Sequence, residues 1–205
     1  MKTLKTIGFA VLIASALVAC NSSEPVENTQ VEEGITGTFN ADLSASSIKW
    51  KGQAVGGLKK HNGSISLSEG SITLENSAIT AGSFTVDMKS ITPFDENYGE
   101  TEYTKADLVG HLSTDQFFLV DSFPTASFTI TGADSTGVMG DLTIRGITNA
   151  EKIINVTVDT TANGITLNGA LTFDRTKYNV SFESGTEEWA LSNDIELKFE
   201  VFAQP

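Results

Sequence analysis

The sequence predicts an all-β domain, a sandwich or a barrel of antiparallel strands, set behind an export leader and a polar spacer. Two observations point there. From about residue 37 onward apolar side chains recur at every second position, the signature of strands with one buried and one solvated face. Clusters of Gly, Asn, Asp and Ser interrupt these runs at short intervals, and many short strands with frequent turns build sandwiches or barrels.

The chain opens with Lys2 and Lys5, then an apolar run from Ile7 to Ala19 broken only by small residues and Ser15. About a dozen apolar residues are too few for a hydrocarbon core that needs roughly twenty. They fit the h-region of a cleaved export signal. The run ends in Leu17-Val18-Ala19-Cys20, which resembles a bacterial lipobox with Cys20 as the lipid-attachment residue. Residues 1–19 are therefore expected to be a removed signal peptide. Cys20 is the sole cysteine, so the chain can form neither an internal disulfide nor a thiolate metal site. Each buried methylene of an acyl chain is worth about 0.8 kcal/mol, and stable anchoring takes more than one chain. The two or three chains of a bacterial lipoprotein meet that need. Asn21 follows the cysteine, and by resemblance to Gram-negative sorting rules this favours an outer-membrane lipoprotein, on the periplasmic face or the cell surface.

Residues 20–36 are polar and acidic, with Glu24, Pro25, Glu27, Glu32 and Glu33 and few apolar side chains. Such a stretch buries too little surface to offset its ordering entropy, so it reads as a flexible tether holding a domain at 37–205 away from the membrane. The chain carries 26 acids against 13 Lys and Arg, a formal charge of -13. Losing Lys2 and Lys5 with the leader makes the mature chain more acidic still. That balance argues against a nucleic-acid partner, which needs clustered Lys and Arg.

Within 37–205 the period-two runs follow in order. Ile48 and Trp50 share a face, as do Ile65 and Leu67, then Ile72 and Leu74. Phe84, Val86 and Met88 alternate with Thr85, Asp87 and Lys89. Phe128 and Ile130 precede Leu142 and Ile144, and Ile154, Val156 and Val158 follow. Ile165 and Leu167, Leu171 and Phe173, and Val180 and Phe182 continue the series. Ile195, Leu197, Phe199 and Val201 end it against Glu196, Lys198 and Glu200. Turns are expected at Ser68-Glu69-Gly70, Asp134-Ser135-Thr136-Gly137, Asn163-Gly164 and Ser184-Gly185, with Asn163-Gly164 the strongest hairpin signal.

One segment departs from the alternation. Between Thr104 and Phe118, Leu108 and Leu112 have helical spacing, and Ser113-x-x-Gln116 ahead of Phe117-Phe118 has the form of a capping box. A short helix before Pro124 is expected here, with Phe117, Phe118 and Phe123 as an apolar plug that closes one end of a core or meets a ligand.

Catalytic chemistry finds no support. No G-x-S-x-G elbow, H-E-x-x-H pair, P-loop or EF-hand loop occurs. The histidines are His61, expected at a turn in Lys60-His61-Asn62-Gly63, and His111 in the short helix. Their spacing suggests no metal site, and no cofactor is expected. Asp174 and Arg175, read as strand neighbours, point to opposite faces, leaving Arg175 for a salt bridge or a head group. Asp95, Glu96, Glu100 and Glu102 read as a solvated loop.

Four stretches carry a family resemblance. Ser47-Ile48-Lys49-Trp50-Lys51-Gly52 is similar to the opening strand of the YceI-like family, and the run from Gly110-His111-Leu112 through Phe117-Phe118 to Pro124 and Phe128 resembles its longest motif. Gly140-Asp141-Leu142-Thr143-Ile144-Arg145-Gly146-Ile147-Thr148 looks like its central hairpin, and Phe173-Asp174-Arg175-Thr176-Lys177-Tyr178-Asn179-Val180 like its late strand. Gln116 stands where the family usually has a small or acidic residue, and family members are often soluble where this chain has a lipobox.

The resemblance implies a lipocalin-like eight-stranded antiparallel β-barrel around a pore that holds an isoprenoid or another long-chain lipid, such as a quinone or a fatty amide, for transport, storage or sequestration. A barrel of eight strands has room for side chains or for one small ligand. The expected apolar lining is Trp50, Phe84, Val86, Met88, Phe128, Ile130, Leu142, Ile144, Phe173, Phe182, Leu197 and Phe199, with His111 and Arg175 as head-group contacts. The competing expectation is a filled barrel serving as a non-catalytic envelope interaction or adhesion module. A homodimer stays open.

Overall fold

A computed structural model describes residues 34–57, 59–94, 104–161, 163–182 and 190–205. Cys20 with the leader and most of the spacer, the four acids of 95–102 and the expected turn at Ser184-Gly185 lie outside the described residues. Among the described residues the alternating runs form nine strand segments: β1 Gly37–Ala41, β2 Ser47–Gln53, β3 Lys60–Glu75, β4 Ala78–Pro93, β5 Thr125–Asp134, β6 Gly137–Ile144, β7 Ile147–Thr161, β8 Gly164–Asp174 and β9 Asp194–Gln204. One helix, α1 Lys105–Leu112, lies between β4 and β5.

Every pairing is antiparallel, and β3 bonds to both β2 and β4, so β2 through β9 close on themselves as an eight-stranded barrel. The segment β1 shares the lane of β2. It pairs with the far half of β3, Gly37 opposite Leu74, and with the end of β9, Ala41 opposite Ala203. β2 pairs with the near halves of the same two strands, Ile48 opposite Ile65 and Phe199. The two segments are thus one barrel strand broken at Asp42–Ser46. The break has a local cause. The Asp42 carboxylate accepts from the Ser44 amide at 3.0 Å, the Ser44 hydroxyl at 2.7 Å and the Ala45 amide at 3.1 Å. Such a side-chain turn competes with the ladder for the backbone. These bonds also hold the Asp42 carboxyl below its ordinary value.

The turns set two unlike ends. At one, tight hairpins join β3 to β4, β5 to β6 and β7 to β8. Asn76 and Ser77 both have positive φ, 50° and 65°, as a type I′ hairpin turn requires. Asp134 caps the second hairpin by accepting from the Thr136 amide at 2.7 Å. At the third, Thr161 pairs with Gly164, so the hairpin stands where Asn163-Gly164 predicts one, with the glycine as the first paired residue. The opposite end carries the β2–β3 turn, α1 with the segment to Pro124, the Arg145-Gly146 turn at φ 51° and 72°, and the β8–β9 connection. We call these the hairpin end and the helix end.

Several expectations need correction. Ser68-Glu69-Gly70 is no turn: β3 runs straight through it, with a register shift between Leu67 and Glu69. The glycine is there for close approach, since an added Cβ would meet Phe84 Cδ1 at 2.8 Å. Ile154 faces outward and is 46% exposed, while Ile153 is buried. A bulge at Asn155, φ 54°, shifts the register between Ile154 and Thr157 and exchanges the faces. The late strand stops at Asp174, whose side chain caps a 3-10 turn, Arg175–Tyr178, by accepting from the Thr176 amide at 2.9 Å. Arg175 is therefore not on a strand, and neither are Val180 and Phe182, whose spacing mimics one. His61 sits on β3, opposite Gly52, rather than at a turn. The capping box belongs to Thr104 and Asp107, not to Ser113 and Gln116. Thr104 Oγ1 accepts from the Asp107 amide, and the Asp107 carboxylate accepts from the Thr104 amide at 2.7 Å. Ser113 closes the helix, its amide donating to the Val109 carbonyl at 3.0 Å.

Candidate functional site

Inside the barrel lies a cavity of about 710 Å³, within the range of small-molecule pockets. Its wall is almost wholly apolar. All twelve expected lining residues face it: Trp50, Phe84, Val86, Met88, Phe128, Ile130, Leu142, Ile144, Phe173, Phe182, Leu197 and Phe199. The strand residues among them arrive there by parity, because alternate side chains of each strand point inward. The interior is therefore not filled, which removes the premise of the filled-barrel reading.

The hollow is kept open by glycines on the inward face. Trp50 is paired with Gly63, Phe84 with Gly70 and Phe199 with Gly169. In each case a Cβ on the glycine would collide with the facing ring: Trp50 Cζ2 at 2.7 Å, Phe84 Cδ1 at 2.8 Å, Phe199 Cε1 at 3.1 Å. Phe128 lies over Gly140 in the same way, and Ile130 Cδ1 would meet a Cβ on Gly82 at 2.8 Å. Large side chains thus lie back along the wall where a neighbour has no side chain, instead of crossing the lumen. Trp50 is further held by its indole N–H, which donates to the Ser64 carbonyl at 3.1 Å.

The floor is at the hairpin end. Phe39, Leu74, Ile165 and Ala203 are buried to 6%, 0%, 1% and 2% exposure and lie below the cavity wall, joined through the pairs Ala41–Ala203 and Ile165–Ala203 and by Gly37–Leu74. None of the four lines the cavity.

The helix end is partly roofed. Leu108 and Leu112 of α1 face the cavity, as do Phe117, Phe118, Val180 and Phe182 from the two long connections. The His111 ring meets the rings of Phe117 and Phe182 edge-on, each at 4.8 Å between centroids, and those two phenyl rings stack at 5.1 Å. The Phe182 amide donates to the Gln116 carbonyl at 3.2 Å. Arg145, on the β6–β7 turn, donates from Nη1 to the Phe117 carbonyl at 2.7 Å and to the Asn179 carbonyl, tying both connections to the barrel. The expected plug is thus divided. Phe117 and Phe118 roof the cavity, whereas Phe123 packs over Gly146, where a Cβ would meet its ring at 3.0 Å.

Polar wall positions collect at this end. Gln53, Lys59, His61, His111 and Arg175 face the cavity. Arg175 is 4% exposed, and its guanidinium donates to the carbonyls of Ser192 at 3.0 Å, Val180 at 2.6 Å and Leu191 at 3.3 Å. These bonds give it a structural task, tying residues 180 and 191–192 to the end of β8. Beside it Tyr178, wholly buried, packs edge-on against Phe173 and donates to Glu151 Oε1 at 3.1 Å. Burial, then the neighbouring Glu151 charge, push the Tyr178 phenol well above its ordinary value. Lys59 and His61 were not among the expected contacts. The signal was present, since both share the parity of Ile65 and Leu67 on β3. Among the described residues no three His, Cys, Asp or Glu side chains gather as metal ligands.

Comparison with known proteins follows the same outline. A UPF0312 protein of Staphylococcus aureus strain USA300 is 32% identical over 105 residues, covering 46% of this chain and 58% of that protein. The chain thus spans less than two thirds of the curated relatives it matches. The crystal structure of Burkholderia cenocepacia BcnA superimposes with a TM-score of 0.60 at 21% identity, over 78% of this chain and 98% of BcnA. That of a Campylobacter jejuni YceI protein gives 0.45 at 23% identity, over 62% and 74%. The YceI-like domain matches residues 39–203, from the first barrel strand to the last. The chain belongs to the YceI-like family.

Proposed function

We propose that this protein binds one long apolar chain inside its barrel, as a carrier, store or sequestering protein of the cell envelope, anchored through lipidated Cys20 and set off from the outer membrane by residues 20–36. The observation that supports the reading is the cavity of about 710 Å³ with its apolar wall. A methylene moved from water into such a wall gains about 0.8 kcal/mol, so a lipid tail binds without special chemistry. The polar groups at the helix end then fix the head group and the direction of insertion.

Native mass spectrometry of the purified chain tests this. The expected result is a co-purifying apolar molecule at one per protein, released by organic solvent and replaced by a hydrophobic dye. A protein that carries nothing and takes up no dye would contradict the reading.

A further inference from the structure

The barrel wall is not equally continuous all round. The ladder between β4 and β5 runs from Asp87–Thr125 to Ser83–Thr129 and stops there. Both strands continue toward the hairpin end, β4 to Ala78 and β5 to Asp134. The same register carried on would pair Gly82 with Ile130 and end with Ala78 opposite Asp134, five residues on each side. Those residues pair only within their own hairpins, with β3 and with β6. Among the described residues no other strand takes up the two facing edges. Each strand carries an extra residue where the ladder ends. Thr80 is skipped between the pairs Thr73–Ala81 and Leu74–Ile79, and Thr131 between Ile130–Gly140 and Gly132–Met139. A bulge bends its strand and terminates pairing. The two hairpins are thus left with a seam roughly 16 Å long, at about 3.3 Å for each residue.

The seam reaches the cavity. Ile79 and Ile130 flank it, line the cavity wall and are only partly buried. Ala133 pairs with Val138, a buried wall residue, yet is itself exposed. A Cβ on Gly132 would meet nothing within 4 Å. Ile79 is the ladder partner of Leu74, so the seam lies at the depth of the floor.

Resting on the apolar-tail reading above, we infer that this seam is a side portal of the cavity. The class of ligand it admits is a chain longer than the cavity, whose far end leaves between β4 and β5 beside Ala133. In a blind hollow, each methylene beyond the available length must kink within occupied space or push the chain back out of the mouth. A portal at the depth of the floor removes that limit, because the surplus passes Ile79 and Ala133 to the outside. Ile130, whose Cδ1 lies over Gly82, bounds the portal from above.

The test uses monounsaturated fatty acids of C14, C18, C22 and C26, delivered from cyclodextrin, each displacing an apolar fluorophore from the delipidated full chain. Affinity is expected to rise with length and then level off, with C26 within about twofold of the tightest chain. In an Ala133→Trp variant, which places bulk in the seam at an exposed position, C26 should bind about tenfold more weakly while C14 is unchanged. A second measurement needs no variant: a C26 acid with a diazirine on its terminal carbon is bound and irradiated, and the labelled residues are mapped by mass spectrometry. Label on Thr131 or Ala133 is expected. Affinity that falls steeply beyond one length in the unaltered chain overturns the portal. So does C26 binding that Ala133→Trp leaves unchanged, or terminal label confined to the roof residues Phe117, Phe118 and Phe182. Each of these leaves the tail reading standing, whereas binding of no chain at any length overturns both.

Discussion

The inward glycines make the sharpest prediction, because a single carbon atom should close part of the hollow. In Gly169→Ala the new Cβ would lie 2.9 Å from Ile153 Cγ2 and 3.1 Å from Phe199 Cε1, inside normal van der Waals contact on both sides. Phe199 Cζ would lie closer still, so the ring must move, and the open side is the lumen. Overpacking of this kind costs about 1–3 kcal/mol, and the loss of glycine freedom in the unfolded chain returns about 0.4–1 kcal/mol. The barrel should remain folded, with a melting temperature lowered by a few degrees, at roughly 2–4 °C for each kcal/mol in a domain of this size. The guest suffers more. If the displaced ring excludes about three methylenes from the wall, affinity falls by about 2.4 kcal/mol, roughly fiftyfold. Fluorescent fatty-chain titration reads the affinity, and thermal melting monitored by circular dichroism reads the fold. Gly169→Ala/Phe199→Ala should recover binding, since the obstructing ring is gone. A single variant that binds normally, or a double variant that fails to recover, refutes the idea that glycines hold the lumen open.

Three further outcomes follow from other parts of the barrel. Leu74→Ala opens the floor at a residue with no exposed surface; it should cost about 2–5 kcal/mol and shift the preferred chain toward greater length, which a series of fatty chains of increasing length would display. Arg175→Met removes the donor that holds the Val180, Leu191 and Ser192 carbonyls; hydrogen exchange should rise at the described residues 190–193 and 180–182 while the β5–β6 hairpin keeps its protection. Stability should fall in acid: Asp42, Asp107, Asp134 and Asp174 are each held below the ordinary 3.8, chiefly by hydrogen bonds from neighbouring Ser or Thr side chains. A carboxylate with a lowered folded value stabilises fully above its unfolded value and loses that contribution as pH falls through the folded one. Thermal melts should therefore be level above about pH 5 and decline below about pH 4, with Asp107→Asn flattening part of the decline.

Most of the barrel was legible because alternation is a direct record of which face is wet. The runs Ile48–Trp50, Phe84–Met88, Leu142–Ile144 and Ile195–Val201 face the cavity as their alternation predicts, while Ile79 and Ile91, out of phase with the β4 run, went unread. Reading failed wherever the chain changes phase. The bulge at Asn155 exchanged Ile153 for Ile154, and nothing in Ile153-Ile154-Asn155 shows which isoleucine turns inward. Ser68-Glu69-Gly70 has the composition of a turn, but its glycine answers to the Phe84 ring across the strand pair, a contact between residues far apart in sequence. Val180 and Phe182 keep a strand-like spacing because both reach into the same roof from an irregular segment. Lys59 and His61 were passed over for the opposite reason. They share the parity of Ile65, but charged residues beside glycines have the composition of a loop, which hides the start of β3. That the barrel is hollow was beyond the sequence, since the same apolar residues could have crossed the lumen had the facing positions not been glycine.

The central claim is that a guest chain lies within the barrel rather than on its surface, and Trp50 is placed to report it. In a Trp189→Phe background, leaving Trp50 as the sole indole, the delipidated full chain would be titrated with a C18 chain brominated at mid-length while indole emission is followed. Saturable quenching that ends at one chain per protein is the predicted result, because Trp50 lies on the cavity wall. Emission that stays unquenched while the brominated chain demonstrably binds would put the guest elsewhere and contradict the account.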